Sequence, residues 1–359
     1  MMNELRIRRL IDKSISTFRL DLKDTIILTE AATGYYILTP IIAAIAGAEK
    51  VLAITQDSQF GDVGYIQKTT ESLARKWNVE DRIEVIFSKK HEGICEVDIV
   101  TNLGFVRPLN ATFLNRLKST VIITLMWETQ EYRPEDLDLN ECRRLRIPLL
   151  GTNEHHSDLR TFEYIGHIAL KLLLKLEIEI FRSNVVVVGS GEFLDQTVTT
   201  LHTAGSYVTS FNTVNKGVLR SIVAKKALQQ ADAMVVVEHN SRRLLIGPNG
   251  EIEADELYAL NPCLALAHIC GGVDRTAIES AGLLCYPKTF AMPGYMSVAT
   301  DYLGPKPLID LHTAGLKVGE RLAYARRQGL AGLEAELAVI KETSLAQGFS
   351  GYHNSGNRN

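Results

Sequence analysis

An α/β chain of two doubly wound parallel-sheet, Rossmann-like domains with a ligand cleft between them is the fold class this sequence predicts. Three observations predict it. From Thr25 onward, short apolar runs recur with helical stretches between them, the alternation expected where crossover helices join the strands of a parallel sheet. A second alternation opens at Asn184 with four consecutive valines, Val185 to Val188, which suit a strand buried on both faces. At 359 residues the chain is long enough for two such domains.

In chain order, a polar helix comes first, then apolar runs at Thr25–Thr29, Lys50–Thr55, Arg82–Phe87, Asp98–Leu103, Thr120–Met126 and Ile147–Leu150. The segment Thr29 to Gly34, the apolar helix after it, and KVLAIT with Asp57 beyond have a mononucleotide-like outline. A plain packing turn is the competing reading there. From Ser157 to Ile180, Phe162, Ile165, Ile168, Ala169, Leu172, Leu173 and Leu176 fall at helical spacing, so one long buried helix is expected to connect the domains.

The second domain opens with the clearest motif. After the valines, Gly189-Ser190-Gly191 lets the backbone turn tightly and approach a pyrophosphate, with the free N–H groups of the next helix pointing at the phosphates. The third glycine of G-x-G-x-x-G is replaced by Leu194. Glu192, Phe193 and Leu194 would therefore join Gly189 and Gly191 around a dinucleotide, NAD or NADP. The bland alternative is a turn that uses glycine for sterics alone. The next strand, Tyr207 to Phe211, runs into Asn212 and Thr213, where a ribose-binding carboxylate is absent; Lys216 and Arg220 follow and would suit a 2′-phosphate. Two more strands, in QQADAMVVVEHN and LNPCLALAHICGGVD, bring Glu238, His239 and Asn240, and Cys270 through Asp274, to the same carboxyl edge. PLIDLHTAG then leads into a final amphipathic helix, and the polar, glycine-rich 346–359 reads as a disordered tail.

Composition narrows the function. With 46% hydrophobic and 23% charged residues and a net charge of −3, the chain shows neither disorder nor a general attraction to nucleic acid or acidic membranes. No run approaches a membrane span, and the N-terminus lacks the apolar core of a signal peptide, so a cytoplasmic protein acting on a small molecule is expected. Five cysteines, with no C-x-x-C pair, indicate neither a disulfide framework nor a metal site.

The order of segments over roughly residues 95 to 325 resembles the D-2-hydroxyacid dehydrogenase family, which includes formate and glycerate dehydrogenases. CEVDIVTNLGFVRPLNATFLNRLKSTVIITLMWE and LDLNECRRLRIPLLGTN are similar to first-domain stretches of that family, and the crossover helix, glycine turn and ADAMVVVEHN strand follow in its order. The resemblance implies a flavodoxin-like substrate domain over 1–157 completed by a C-terminal helix at 309–345. It also implies a dinucleotide-binding domain over 158–308 and a homodimer. Family catalysis uses an arginine, a histidine acid/base and a glutamate. LIDLHTAGLKVGE is similar to the family's histidine run, which makes His312 the acid/base, with Asp310 beside it on an extended run.

The family's arginine place holds Ile269 or Cys270, and its glutamate run, here LLCYPKTFAMPGY, has no carboxylate. Arg107, or backbone N–H groups from Asn102 to Phe105, would have to receive the substrate instead. The reading is an NAD(P)-dependent oxidoreductase acting on a small polar substrate. The alternatives are a nucleotide-binding protein of the same fold without turnover, or an adenosyl-ligand, methyl-transfer enzyme using the Thr29–Gly34 turn, which resembles that of class I methyltransferases.

Overall fold

The computed structural model describes residues 3–349. Up to Thr152 the elements are α1 (Glu4–Phe18), β1 (Ile26–Glu30), α2 (Leu38–Ile45), β2 (Lys50–Ile54), α3 (Val63–Lys76), β3 (Ile83–Ile86), β4 (Ile99–Thr101), α4 (Ala111–Leu114), β5 (Ile122–Thr124), α5 (Leu139–Arg144) and β6 (Leu149–Thr152). There follow α6 (Glu163–Lys175), β7 (Asn184–Gly189), α7 (Gly191–Thr203), β8 (Tyr207–Asn212), α8 (Ile222–Gln229), β9 (Ala233–Val237), β10 (Leu244–Ile246), α9 (Ala254–Leu260), β11 (Ala265–Cys270), β12 (Gly272–Val273), α10 (Arg275–Ala281) and β13 (Leu284–Tyr286). The chain closes with α11 (Pro305–Arg327), α12 (Leu333–Glu342) and β14 (Ala346–Gln347). It divides into two units, Met1–Leu159 with Pro305–Asn359, and Arg160–Gly304.

Strand periodicity builds both cores. In unit 1, Ile27, Val51, Ile99, Ile122 and Leu150 bury against α1, α2 and α11. The alternate residues Leu28, Leu52, Val100, Ile123 and Leu149 bury with Phe113, Leu114, Leu139 and Cys142 of α4 and α5. Successive side chains of a strand point to opposite faces, so the sheet is covered on both, as a doubly wound sheet must be. Two glycines let α11 lie close to it: a Cβ on Gly315 would meet Met126 Sδ at 2.7 Å, and one on Gly319 would meet Ile99 Cγ2 at 3.0 Å. Unit 2 repeats the scheme. Val185, Val187, Val235 and Ile269 pack with α6 and α7, while Val186, Val188, Met234, Val236 and Leu266 pack with α8, α9 and α10.

Strand order differs between the units. Unit 1 runs β14-β6-β5-β4-β1-β2-β3, all parallel except β14, so its parallel strands follow the order 3-2-1-4-5-6 of dinucleotide-binding sheets. Unit 2 runs β13-β11-β9-β7-β8, the order 2-1-3-4-5 counted within that unit. The flavodoxin-like order expected for the first unit therefore belongs to the second. After β8 the chain turns at Gly217 into a short helical turn, Val218–Arg220, and then α8, and the strand that follows, β9, pairs with β7, whereas β3 of unit 1 pairs with β2. Glu251 receives the N–H groups of Gly217 and Leu219 and holds this turn in place.

Three further expectations are corrected. The helix expected over 157–180 spans only Glu163–Lys175, bounded by left-handed backbone at Arg160 (φ 48°) and Glu177 (φ 60°). The last long helix begins at Pro305, not 309, so Leu308 to Gly315 is helical and not extended. Asp310 and His312, two residues apart on a helix, then point in different directions, and Asp310 pairs with Lys306 instead. Of the expected disordered tail, Ala346–Gln347 pairs with β6 and Phe349 is buried against Tyr132; residues 350–359 lie outside the described residues.

Candidate functional site

At the carboxyl edge of the unit 2 sheet, β7 ends in Gly189, and a Cβ there would meet the Val237 carbonyl oxygen at 2.5 Å, so the close approach to β9 excludes any side chain. Gly191 opens α7 at φ 59°, in the left-handed region, with Asn240 Nδ2 3.0 Å from where its Cβ would stand. Between them, Ser190 occupies the N-cap position without capping the helix. Its hydroxyl donates instead to Glu238 Oε1 at 3.0 Å and accepts from Asn240 Nδ2 at 3.1 Å.

Glu238, just past β9 and only 1% exposed, is the hub of this edge. Its carboxylate also accepts the N–H groups of Asn240 and Ser241, both at 2.8 Å, and the hydroxyl of Thr213 at the end of β8. Four donors from three segments thus tie the glycine turn, the end of β8 and the loop after β9 to one buried anion. A desolvated carboxylate is tolerable only when it is hydrogen-bonded in this way.

The remaining predicted residues of unit 2 fall in different places. Asn212 is exposed and its side chain accepts from Val214 N at 3.0 Å. Phe193 and Leu194 are core residues, Phe193 being sandwiched edge-on by Phe162 and face-on by His239. Cys270 is fully buried, and burial pushes its thiol well above the ordinary range. Asp274 caps α10 through Ala277 N at 3.0 Å. These four places are filled by packing or capping, which is what an apolar or N-cap residue at a strand–helix junction does by default. Glu192, on the first turn of α7, is half-buried.

Beyond β8 lies a cavity of about 410 Å³ lined by Lys216, Gly217, Arg220, Arg243, Leu244, Asn249, Gly250 and Glu251. Arg220 is committed to the carbonyls of Glu251 and Gly250 at 3.1 and 2.8 Å, and Arg243 pairs with Glu251 at 3.0 Å. Lys216 is exposed at its rim.

In unit 1, His312 lies in mid-helix, 4% exposed, with Nδ1 2.7 Å from Thr39 Oγ1 and Tyr36 beside its ring. Burial lowers its pKa to about 3, so the ring is neutral near pH 7 and is not the imidazolium that a general acid would need to be. The glycine of the HTAG run serves the helix–sheet contact at Met126. Arg107 is ion-paired with Asp136 at 2.6 Å and lies over the Trp127 ring. The N–H groups expected to receive a substrate near Phe105 are taken by Glu30: Phe105 N donates to its Oε2 at 3.0 Å, and Gly104 N–H also favours its charged form.

Reading the sequence for motifs missed three polar positions. Glu30 ends β1 at 5% exposure, and desolvation raises its carboxyl to about 7 against the pull of Phe105 N–H, Arg107 and Gly104 N–H. Asn102, 6% exposed, follows β4 and accepts from Met126 N at 2.9 Å. His268 on β11 is buried, stacked on Phe290 and bonded to Ser297 Oγ and the Gly271 carbonyl, with its pKa lowered to about 4 mainly by burial. A polar residue directly after an apolar strand was the available signal in the first two cases. Among the described residues no group of three His, Cys, Asp or Glu is arranged to hold a metal ion, and no helix is long and apolar enough to cross a membrane.

Two doubly wound units in one chain, with a glycine turn opening the second, define a two-unit, Rossmann-like α/β fold. Several solved structures are similar to it. The pyruvate reductase of Chlamydomonas reinhardtii superposes with a TM-score of 0.50 at 13% identity, covering 84% of this chain and 97% of its own. The dipicolinate synthase chain from Bacillus halodurans gives 0.49 at 11% identity, covering 85% and 99%. A protein from Polaromonas, provisionally named an NAD-binding D-isomer-specific 2-hydroxyacid dehydrogenase, gives 0.45 at 12%, covering 73% and 95%. At such identities the likeness carries the fold and nothing finer. No family model and no curated protein sequence matches the chain.

Proposed function

We propose that unit 2 binds a nicotinamide adenine dinucleotide, NAD or NADP, at the Gly189–Gly191 turn, and that the protein is an NAD(P)-dependent oxidoreductase acting on a small polar substrate. The observation that carries this reading is the turn itself: a glycine forced by backbone contact, a second in left-handed conformation, and a 13-residue helix opening without a side-chain cap. Uncapped N–H groups and the helix dipole are what a pyrophosphate requires. The bound nucleotide would supply hydride transfer, and the chain would supply Gly189, Gly191 and the first turn of α7 to hold it. The absence of a carboxylate at Asn212 and Thr213, together with Lys216 at the rim of the neighbouring cavity, favours NADP. A homodimer and a cytoplasmic location belong to the same proposal.

A second reading, a binding protein of this fold without turnover, is favoured by one observation. His312 is enclosed and neutral, and the family's arginine and glutamate have no counterpart. Titration of NADPH and NADH by their fluorescence separates binding from turnover. The wild-type protein is expected to bind, with NADPH preferred, and Gly191→Val to lose binding while keeping its circular dichroism, because branched carbons would stand where phosphate must approach. Unchanged affinity in folded Gly191→Val would remove the nucleotide from this turn.

A further inference from the structure

Unit 1 has the strand order of a dinucleotide-binding sheet but no glycine turn to receive phosphate. In such a sheet ligands bind outside the carboxyl ends of the strands, where the order reverses, and here that point lies between β1 and β4. Ile27 pairs with Ile99 and Leu28 with Val100, and the Thr101 hydroxyl donates to Thr29 Oγ1 at 3.0 Å, which continues the register by one step. Carried one residue past β4, the same register would set Glu30 beside Asn102, on the face of Leu28 and Val100. Neighbouring strands are about 4.8 Å apart, so the two side chains start from adjacent positions.

Both residues are more than nine-tenths buried. Asn102 spends its oxygen on Met126 N–H, which fixes the orientation of the amide, and among the described residues its Nδ2 donor has no hydrogen-bond partner. Glu30 accepts a single N–H hydrogen bond, from Phe105, well short of what a carboxylate can accept. Its nearest cation, Arg107, is committed to Asp136. The loops after β5 and β6 add the buried carboxylates Glu128 and Glu154 to the same edge. An anionic keto acid would meet repulsion here. A cation would relieve the cost of holding Glu30 charged.

We infer that the β1–β4 edge of unit 1 is a binding site for the zwitterionic head of an α-amino acid, with Glu30 accepting the ammonium group and Asn102 Nδ2 donating to the carboxylate. This names the substrate class of the oxidoreductase reading and rests on it for turnover, though not for binding. The same head occurs on free amino acids and on adenosyl amino acids such as S-adenosylhomocysteine, and the Thr29–Gly34 turn lies at the same strand end.

The test is thermal stability and calorimetric titration of the full chain without nucleotide. The probes are the twenty standard amino acids, their 2-oxo acids, and S-adenosylhomocysteine. Binding of a free amino acid, or of S-adenosylhomocysteine alone, supports the site and identifies its source. In either case Glu30→Gln should weaken binding about 100-fold, as expected when a buried charge loses its partner. Asn102→Leu should weaken it by a smaller factor. NADPH titration of the same variants should be unchanged, which separates loss of this site from misfolding and from failure of the nucleotide reading. The proposal is overturned if no amino-acid head binds, if 2-oxo acids bind equally well, or if folded Glu30→Gln binds like the wild type.

Discussion

Glu30 and Glu238 are both carboxylates buried at the carboxyl edge of a parallel sheet, yet they are held in different ways. Glu238 gathers four donors from three segments and so serves as a fastener. Glu30 has one N–H donor, from Phe105 in the turn after β4, and its carboxyl is pushed up to about 7 by burial. Depth of burial is nearly the same in the two cases. What separates a structural charge from one available to a ligand is therefore the number of its donors and how far apart in the chain they lie. In unit 2 the ligand signal rests on glycines, where backbone must come close. In unit 1 it rests on polar capacity left over.

The strongest way to break this comparison is Glu238→Leu. It leaves the hydroxyls of Ser190 and Thr213 and the N–H groups of Asn240 and Ser241 without their common acceptor, and should cost about 3–5 kcal/mol. Amide hydrogen exchange at residues 240–241 should rise together with that of the α7 first turn. Slow exchange at those amides in the variant would mean that the carboxylate is not the fastener described.

Glu30→Gln sharpens the other half. Its folded pKa of about 7 lies above the ordinary 4.5, so the native state binds the proton more tightly than the unfolded state. The stability this lends is fully present below pH 4.5 and lost as pH rises through 7, a change of about 3 kcal/mol for a fully buried carboxyl. A glutamine still accepts from Phe105 N–H and carries no charge. Urea denaturation should therefore show the variant gaining on the wild type from pH 5 to pH 8, and parallel curves would sink the account.

The smallest effect is expected at His312. A folded pKa of about 3 against 6.5 unfolded contributes stability that is present above pH 6.5 and lost as pH falls toward 3. At pH 5 the loss is about 2 kcal/mol. His312→Asn, which keeps a partner for Thr39, should flatten that part of the acid limb and leave the part due to His268. An acid limb identical to that of the wild type would show that the ring titrates freely.

How much of this was legible in the sequence depends on the range of the cause. The valine run and the Gly189–Gly191 turn were readable because their requirements are local: burial on both faces and freedom of φ. The strand order was not, because whether β2 gains an outer neighbour while β8 does not is decided by pairing between distant segments. His312 misled because HTAG fits a catalytic run and a helix–sheet contact equally well. The proline at 305, a residue at home in the first turn of a helix, was the cue that the run is helical. Phe349 was hidden in a glycine-rich tail whose average composition outweighed one anchoring side chain.

The seating of α11 on the first sheet also sets a timetable for synthesis. Residues 160–304 are contiguous and bring their own two cores, so unit 2 can close as soon as it leaves the ribosome. Unit 1 cannot. Ile27, Val51, Ile99 and Ile122 emerge early but await Leu316, Val318 and Leu322, made roughly two to three hundred residues later. Through that interval the part of this face that α1 and α2 leave for α11 stays wet and adhesive, and a nascent chain stalled before Pro305 would be a substrate for chaperones rather than a shorter version of the protein.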